Sequence, residues 1–288
     1  MASAQANRRG ILLMLVAMGC YVLNDAFVKL AAQSLPPGQV LAVRGAFATL
    51  FVLALTRTTR GGWRTALRPI FGVRCGLEIT TALSSVVALS LAPLATVSTL
   101  MMTAPLMIAA TAMALRWEPW HGGRLLATAA GFAGVLLVIQ PSARSEVPAA
   151  GLACALFCAA SLAARDLVTR RIPATVPSSI IAVATTLAVC LAGLLLVGLV
   201  ERWAPLTRHE LGMLAAAAGC AALGNYALIV ACRGVDLSVV TPFRYSLIVW
   251  ALLLGYAIWG DMPRPEAAAG VVLIVAAGVF TVRAARRP

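Results

Sequence analysis

The residues best able to do chemistry are charged side chains inside long apolar segments. Three acids stand four residues from a base, in the pairs Asp25 and Lys29, Arg74 and Glu78, and Asp166 and Arg170. Residues i and i+4 share one helical face, so each pair can neutralise itself along its own helix. A charge inside a bilayer is costly unless it has a partner, a water-filled cavity or a function. These side chains are therefore candidates for holding a polar solute or an ion within a membrane.

Two further arginines, Arg44 and Arg244, lie well inside apolar segments without an acid nearby in the same segment. Each must find a carboxylate, a carbonyl or water contributed by another helix. A deep tyrosine beside a polar residue also needs a hydrogen-bond partner. This applies to Tyr226, which follows Asn225, and to Tyr245, which follows Arg244.

The residues that catalysis would require are not placed for it. Both histidines, His121 and His209, are predicted to lie in loops at helix starts, and the seven cysteines fall inside apolar segments without metal-binding or disulfide spacing. Phosphate-loop and nucleophile-elbow motifs are also missing from the sequence. Three classes of function are compatible with polar side chains inside apolar segments. A transporter is the leading class, a membrane-embedded enzyme is its main rival, and a structural or receptor-like membrane protein is the third.

The elements that position these residues are predicted to be membrane-spanning helices. The chain is 61% hydrophobic and 11% charged, well outside the range of soluble domains. A bilayer core about 30 Å thick requires about 20 apolar residues per helix. The sequence predicts ten spans, near residues 10–32, 38–56, 70–91, 95–115, 122–140, 149–168, 178–200, 210–232, 237–259 and 266–283.

The two halves of the chain resemble each other, which predicts two five-helix repeats, residues 1–143 and 144–288. Several residues recur at offsets of 141 to 144: Gly10 and Gly151, Asn24-Asp25 and Arg165-Asp166, Lys29 and Arg170, Pro36 and Pro177, Trp117 and Trp259, Ala133-Gly134-Val135 and Ala277-Gly278-Val279. An odd number of spans per repeat places the second copy upside down in the membrane. Inverted repeats are a common basis for alternating access in secondary transporters.

The net charge of +13 is distributed as expected for a membrane protein rather than for a nucleic-acid binder. The N-terminus, the C-terminal tail and the loops after spans 2, 4, 6 and 8 carry fourteen arginines: Arg8, Arg9, Arg57, Arg60, Arg64, Arg68, Arg116, Arg124, Arg170, Arg171, Arg233, Arg283, Arg286 and Arg287. The opposite loops carry four: Arg144, Arg202, Arg208 and Arg264. The positive-inside rule therefore places both termini and the 57–69 loop in the cytoplasm.

The polar and aromatic side chains inside the spans form two sets of candidate site residues. Those predicted to contact a substrate are Asn24, Glu78, Met101, Asn225, Tyr226, Arg244, Tyr245 and Trp250. Those predicted to act as gating or ion-pair residues are Asp25, Lys29, Arg165, Asp166 and Arg170. The spans without deep charges, which are spans 5, 7 and 10, are predicted to pack against neighbouring helices or lipid, with Gly131, Gly134 and Ala277 allowing close helix contact.

The chain resembles, over essentially its whole length, the EamA-type group of the drug/metabolite transporter superfamily. The stretches Thr241–Tyr245 and Trp259–Pro263 are similar to the last two helices of that group, and Asn24–Lys29 with Arg44-Gly45 is similar to the first two. The halves differ in one respect that affects helix geometry. Pro105 in span 4 corresponds to Leu247, whereas span 9 carries its proline earlier, at Pro242.

The resemblance implies ten helices in two inverted repeats, a central substrate cavity and no bound cofactor. It also implies a secondary transporter of small organic solutes in a bacterial inner membrane, with the lipid bilayer and a small-molecule substrate as its partners. Arginines, tyrosines and Trp250 suit a solute with a carboxylate and an apolar or aromatic part, so we expect export of amino acids. Riboflavin, S-adenosylmethionine or a similar metabolite is the alternative, and the sequence leaves open a monomer or a homodimer.

Overall fold

The structure is a computed structural model that describes residues 4–55, 69–115, 122–139, 147–169, 178–231, 241–261 and 265–284. These residues form eleven α-helices and one 3-10 helix, at Thr241–Tyr245. The α-helices are α1 Ala4–Ala31, α2 Pro37–Leu55, α3 Pro69–Leu91, α4 Leu94–Met101, α5 Ala104–Ala114, α6 Gly122–Ile139, α7 Ala149–Thr169, α8 Ser178–Leu199, α9 Arg208–Ala231, α10 Ser246–Trp259 and α11 Pro265–Ala284. The prediction of an all-helical chain is thus confirmed for the described residues.

Six of these helices are long and apolar enough to cross a membrane, judged by length and composition: α1, α2, α3, α7, α8 and α9. Shorter apolar helices lie at Leu94–Ile108, Phe243–Trp259 and Ala268–Ala277. Large apolar side chains are also exposed on the surface, including Leu126 and Leu195. A surface of this kind suits lipid rather than water.

The predicted fourth span is divided into two helices, α4 and α5, which are separated by Met102 and Thr103. Pro105 lacks an N–H group, and its ring clashes with the carbonyl four residues earlier, so it favours a kink or a break in the helix at this point. The last turn of α4 is closed locally. The Met102 N–H donates to Ser98 O at 3.1 Å, and Thr103 Oγ1 donates to Leu100 O at 2.6 Å.

The predicted ninth span also changes character along its length. The 3-10 helix Thr241–Tyr245 leads directly into α10 at Ser246, and residues 237–240 lie outside the described part of the chain. Ala104, the first residue of α5, and Ser246, the first of α10, are 142 residues apart. The same offset relates Trp117 to Trp259, so both interruptions occur at equivalent positions of the predicted repeat.

The chain forms two compact units, and each draws helices from both halves of the sequence. The first unit contains Met1–Val22, Ala92–Leu152 and Leu223–Pro288. The second unit contains Leu23–Leu91 and Ala153–Ala222.

In the second unit, α2 packs closely on α8 because glycines line their contact. A Cβ atom on Gly193 of α8 would lie 2.4 Å from the Ala42 nitrogen and 2.5 Å from the Gly38 oxygen. Beyond this contact, Gln39 of α2 makes two hydrogen bonds with the backbone of Ala204, at 2.8 and 3.0 Å. The start of α2 is therefore held firmly against α8 and the loop that follows α8.

We expect Gly193→Ala to lower the free energy of unfolding by about 1–3 kcal/mol, because its methyl group would overlap backbone atoms that cannot rotate away. The matched control is Gly198→Ala on the same helix, where a Cβ would meet no atom within 4 Å. Thermal unfolding of the purified proteins in detergent measures both. Equal melting temperatures for the two variants would contradict the close approach of α2 and α8.

In the first unit, α6 packs on α11 in the same manner. A Cβ on Gly134 would lie 2.8 Å from the Gly270 oxygen, and one on Gly131 would lie 3.3 Å from the Cβ of Ala277. The predicted role of Gly131, Gly134 and Ala277 in close helix contact is confirmed. Since α2 and α8 carry spans 2 and 7, and α6 and α11 carry spans 5 and 10, each close pair joins helices that the predicted repeat relates.

Candidate functional site

Seven charged side chains of the second unit lie within the membrane-spanning helices α1, α2, α3 and α7. Lys29 is one of them. The other six are three arginines and three carboxylates, which we call the charged cluster: Asp25, Arg44, Arg74, Glu78, Arg165 and Asp166. Each of the six residues is partly buried.

Glu78 joins α3 to α7, because arginines from both helices bind its carboxylate. Arg74 Nη1 lies 2.5 Å from Glu78 Oε2, and Arg165 Nη1 lies 3.5 Å from Glu78 Oε1. Arg74 Nε also donates to Thr169 Oγ1 at 2.8 Å, and the Thr169 hydroxyl donates to Arg165 O at 2.7 Å. The predicted pair along α3 is confirmed. It is one part of a network that links the two helices through Arg74, Glu78, Arg165 and Thr169, which we call the α3–α7 brace.

Arg44 on α2 lies between the charged groups of α1 and α3. It is close enough to Asp25 on α1 and to Glu78 on α3 to interact with both carboxylates electrostatically.

The two dipeptides that the repeat relates make the same local contact. Asn24 Nδ2 donates to Asp25 Oδ1 at 2.8 Å, and Arg165 Nη2 donates to Asp166 Oδ1 at 3.0 Å. In each case the residue before the acid donates a hydrogen bond to the carboxylate that follows it. Asn24 is 4% exposed, and its Oδ1 is buried without a hydrogen-bond partner among the described residues.

The predicted gating residues are only partly described. Arg165 and Asp166 belong to the charged cluster, and Lys29 is partly buried one turn beyond Asp25. Arg170, the predicted partner of Asp166, lies outside the described residues. The observed contact of Asp166 with Arg165 was not predicted, because adjacent side chains on a helix do not normally face each other.

A second set of polar groups lies at the helix interruptions of the first unit. Three buried hydroxyls have no hydrogen-bond partner within the described part of the chain: Ser98 Oγ, Tyr245 Oη and Ser246 Oγ. Ser98 belongs to α4, which packs against α10, and Tyr245 and Ser246 mark the junction at the start of α10. An unmet buried hydroxyl costs about 1–3 kcal/mol, so these groups are available to a polar ligand.

The remaining aromatic candidates of the first unit are oriented by the beginning of α1. Trp250 Nε1 donates to Leu15 O at 3.1 Å, and a Cβ on Gly19 would lie 3.5 Å from the indole ring. Tyr21 donates to Asn225 Oδ1 at 2.5 Å. The tyrosine that binds Asn225 is therefore Tyr21, and not the adjacent Tyr226, which is 66% exposed.

Two of the other candidates are less enclosed than their neighbours. Met101 is the partly buried last residue of α4, and Arg244 is exposed on the 3-10 helix next to the buried Tyr245.

Sequence reasoning missed Thr169 and Tyr21. Thr169 stands four residues after Arg165 and could have been found from that spacing, whereas the contact of Tyr21 with Asn225 spans 204 residues.

The thiols of the chain take part in packing where they are described. Cys158 is buried on α7, and its Sγ donates to Thr81 O on α3 at 3.4 Å.

The described residues include no group of three or more histidine, cysteine or acidic side chains that could hold a metal ion. The arrangement is thus suited to binding and exchanging charged groups, with guanidinium donors for an anion and carboxylates for a cation.

Comparison with known proteins agrees with this architecture. The family model described as the EamA-like transporter family matches residues 8–140 and 149–283. The pseudopaline exporter CntI of Pseudomonas aeruginosa is 27% identical over 278 residues, covering 94% of each chain. An S-adenosylmethionine uptake transporter of Rickettsia bellii is 24% identical over 260 residues, covering 90% of this chain and 88% of that protein. A solved crystal structure that is 21% identical matches the fold with a TM-score of 0.67, covering 96% of this chain and 98% of the other.

Proposed function

Since this chain belongs to the EamA-like transporter family, and is therefore a multi-pass membrane transporter, we propose that it exports amino acids, including aromatic and apolar ones, across the bacterial inner membrane. The observation that carries this proposal is that the charged cluster brings arginines and carboxylates together, three of each. A zwitterion can enter such a cluster without leaving an uncompensated charge in the membrane. An amino acid brings a carboxylate for an arginine and an ammonium for a carboxylate.

The first unit, taken by itself, carries an aromatic surface that suits an apolar or aromatic solute. Trp250 is 39% exposed, while its indole N–H is held by Leu15 O. An indole fixed at its polar edge offers a rigid apolar face, and aromatic pairs contribute about 0.5–1.5 kcal/mol beyond the area they bury. Arg244 and the buried hydroxyl of Tyr245 remain proposed substrate contacts beside it.

S-adenosylmethionine is the second candidate, because uptake transporters for it are among the relatives of this chain. It contains an amino-acid head, so the charged cluster would suit that part of the molecule. Its sulfonium adds one positive charge, which a balanced cluster does not compensate. Riboflavin lacks the zwitterionic head altogether, and it therefore fits the cluster least.

The same proposal includes the orientation and the mode of transport. Both termini are proposed to lie in the cytoplasm, as the arginine distribution predicts, and the two halves are proposed as inverted repeats that alternate access to the solute. The acidic residues Asp25 and Asp166, with Lys29 and Arg170 four residues later in the sequence, are proposed to favour closure at opposite mouths. Support comes from the matching contacts at 24–25 and 165–166 and from the matching interruptions at Ala104 and Ser246.

Purified protein in liposomes distinguishes the candidates. Labelled phenylalanine, leucine, S-adenosylmethionine and riboflavin are tested for uptake and efflux, with and without a pH gradient. We expect saturable flux of phenylalanine and leucine that exceeds the flux of the other two by about tenfold or more, which corresponds to one charge-assisted hydrogen bond. Flux of S-adenosylmethionine alone would favour the second candidate, and flux of none of the four would contradict both.

A further inference from the structure

We infer that Asn24 and Asp25 form the binding site for the ammonium group of the transported solute. This inference rests on the proposed function and deepens it, because it assigns one half of a zwitterion to two named side chains. The group that this site would bind is a primary ammonium with free hydrogens, as in an unmodified α-amino acid. The geometry of the Asn24 amide is the observation that points to it.

The Asn24 amide is oriented by its neighbour. A carboxylate can only accept hydrogen bonds, so the amide nitrogen must be the atom that faces Asp25, and it does so at 2.8 Å. The amide oxygen on the other side is then a fixed acceptor. This oxygen is buried, in a residue only 4% exposed, and it receives no hydrogen bond from the described residues.

The buried oxygen of the Asn24 amide can accept a hydrogen bond that no described residue donates. Burying an amide oxygen without a partner costs about 1–3 kcal/mol, and a ligand that donates to it removes that cost. The adjacent group is the Asp25 carboxylate, so the missing donor is expected to be cationic. An ammonium carries three donors and no acceptor, and it can therefore bind the Asn24 oxygen and the Asp25 carboxylate at once.

Arg44 explains how the site accepts a zwitterion without a net change in charge. In the structure, Arg44 interacts electrostatically with Asp25. A solute carboxylate can therefore pair with Arg44 while the solute ammonium pairs with Asp25. Each charge of the solute then has a partner, which is the condition for binding at depth in a membrane.

The repeat-related site on α7 is occupied differently, which makes the Asn24 site distinct. At the position equivalent to Asn24 stands Arg165, whose guanidinium binds Asp166 at 3.0 Å and Glu78 at 3.5 Å. Beside Asp166, the guanidinium of the preceding residue binds the carboxylate. Beside Asp25, the preceding residue is the neutral Asn24, and a solute ammonium is inferred to bind there. Only the first copy of the dipeptide combines an acid with an unmet acceptor among the described residues.

The test compares two probes that differ only at the amine, L-phenylalanine and N-acetyl-L-phenylalanine. Equilibrium binding to the purified full-length protein in detergent is measured for both. We expect the wild type to bind L-phenylalanine at least about tenfold more tightly, since the acetyl group removes the charge and two of the three donors. Asp25→Asn should abolish this preference, and Asn24→Leu should reduce it while leaving the carboxylate in place.

The control is Asp261→Asn, the same change of an acid to its amide in a loop of the first unit, which should keep the full preference. Retention of the preference in both Asp25→Asn and Asn24→Leu would overturn the inference, even if phenylalanine is bound and transported. Wild-type protein that binds neither phenylalanine nor other amino acids would overturn the proposed function together with the inference. If Asp25→Asn fails to fold, Asn24→Leu decides the question alone.

Discussion

Replacing Glu78 by leucine is expected to lower the free energy of unfolding by about 3–5 kcal/mol, the usual result of removing one partner from a buried ion pair. Glu78 is the carboxylate that both Arg74 and Arg165 bind, and its side chain is 24% exposed while that of Arg74 is 11% exposed. Without it, Arg165 keeps Asp166. Arg74 keeps only the neutral hydroxyl of Thr169 among its described contacts, and its charge is then uncompensated.

Thermal and denaturant unfolding of the purified variant measures this loss, and proteoliposome flux should fall to background because the α3–α7 brace no longer forms. Glu266→Leu is the matched control, since that acid is exposed in the first turn of α11. Removing an exposed acid, with its helix-dipole and surface interactions, should cost about 1 kcal/mol or less. A Glu78→Leu protein as stable as this control would show that the charged cluster is solvated rather than mutually paired.

Removing both members of the pair is expected to restore most of that stability. In the double variant Arg74→Leu with Glu78→Leu, the remaining charges still match, because Arg165 keeps Asp166 and Arg44 keeps Asp25. Thr169 also keeps a partner, the backbone oxygen of Arg165. Replacing a buried ion pair by apolar residues is often neutral or stabilising, so we expect the double variant to unfold within about 1 kcal/mol of the wild type.

The double variant separates structure from transport. We expect it to fold and yet to move phenylalanine at a rate reduced by at least about tenfold, because a proposed substrate contact and its positioning arginine are both gone. A complete double-mutant cycle, with Arg74→Leu as the other single change, gives the coupling energy of the pair. Wild-type flux in the double variant would contradict a role for Glu78 in transport.

Much of this architecture could be predicted from local sequence patterns. The bounds of α1, α2, α3 and α7 differ by few residues from the predicted spans, apart from the earlier start of α1, because apolar length alone defines them. The i, i+4 pair Arg74–Glu78 and the small-residue contact of α6 with α11 also follow from helix periodicity.

What the sequence could not provide are contacts that depend on which helices become neighbours. Glu78 binds Arg165, which lies 87 residues later in the numbering, and nothing in either segment specifies that pairing. The interruption before Pro105 does not follow from the sequence either, because proline is tolerated within many membrane helices. The unmet oxygen of Asn24 depends on the direction of one amide, which only the contact with Asp25 defines.

The central claim is that residues 1–143 and 144–288 are two copies of one unit with opposite orientations in the membrane. It is tested most directly by labelling single cysteines at equivalent positions, Gln33→Cys after α1 and Ala174→Cys 141 residues later, in a background without the seven native cysteines. With a membrane-impermeant maleimide, Gln33→Cys should react in intact cells, and Ala174→Cys should react only after the cells are permeabilised. Reaction of both cysteines from the same side of the membrane would contradict the inverted repeat and the alternating-access account built on it.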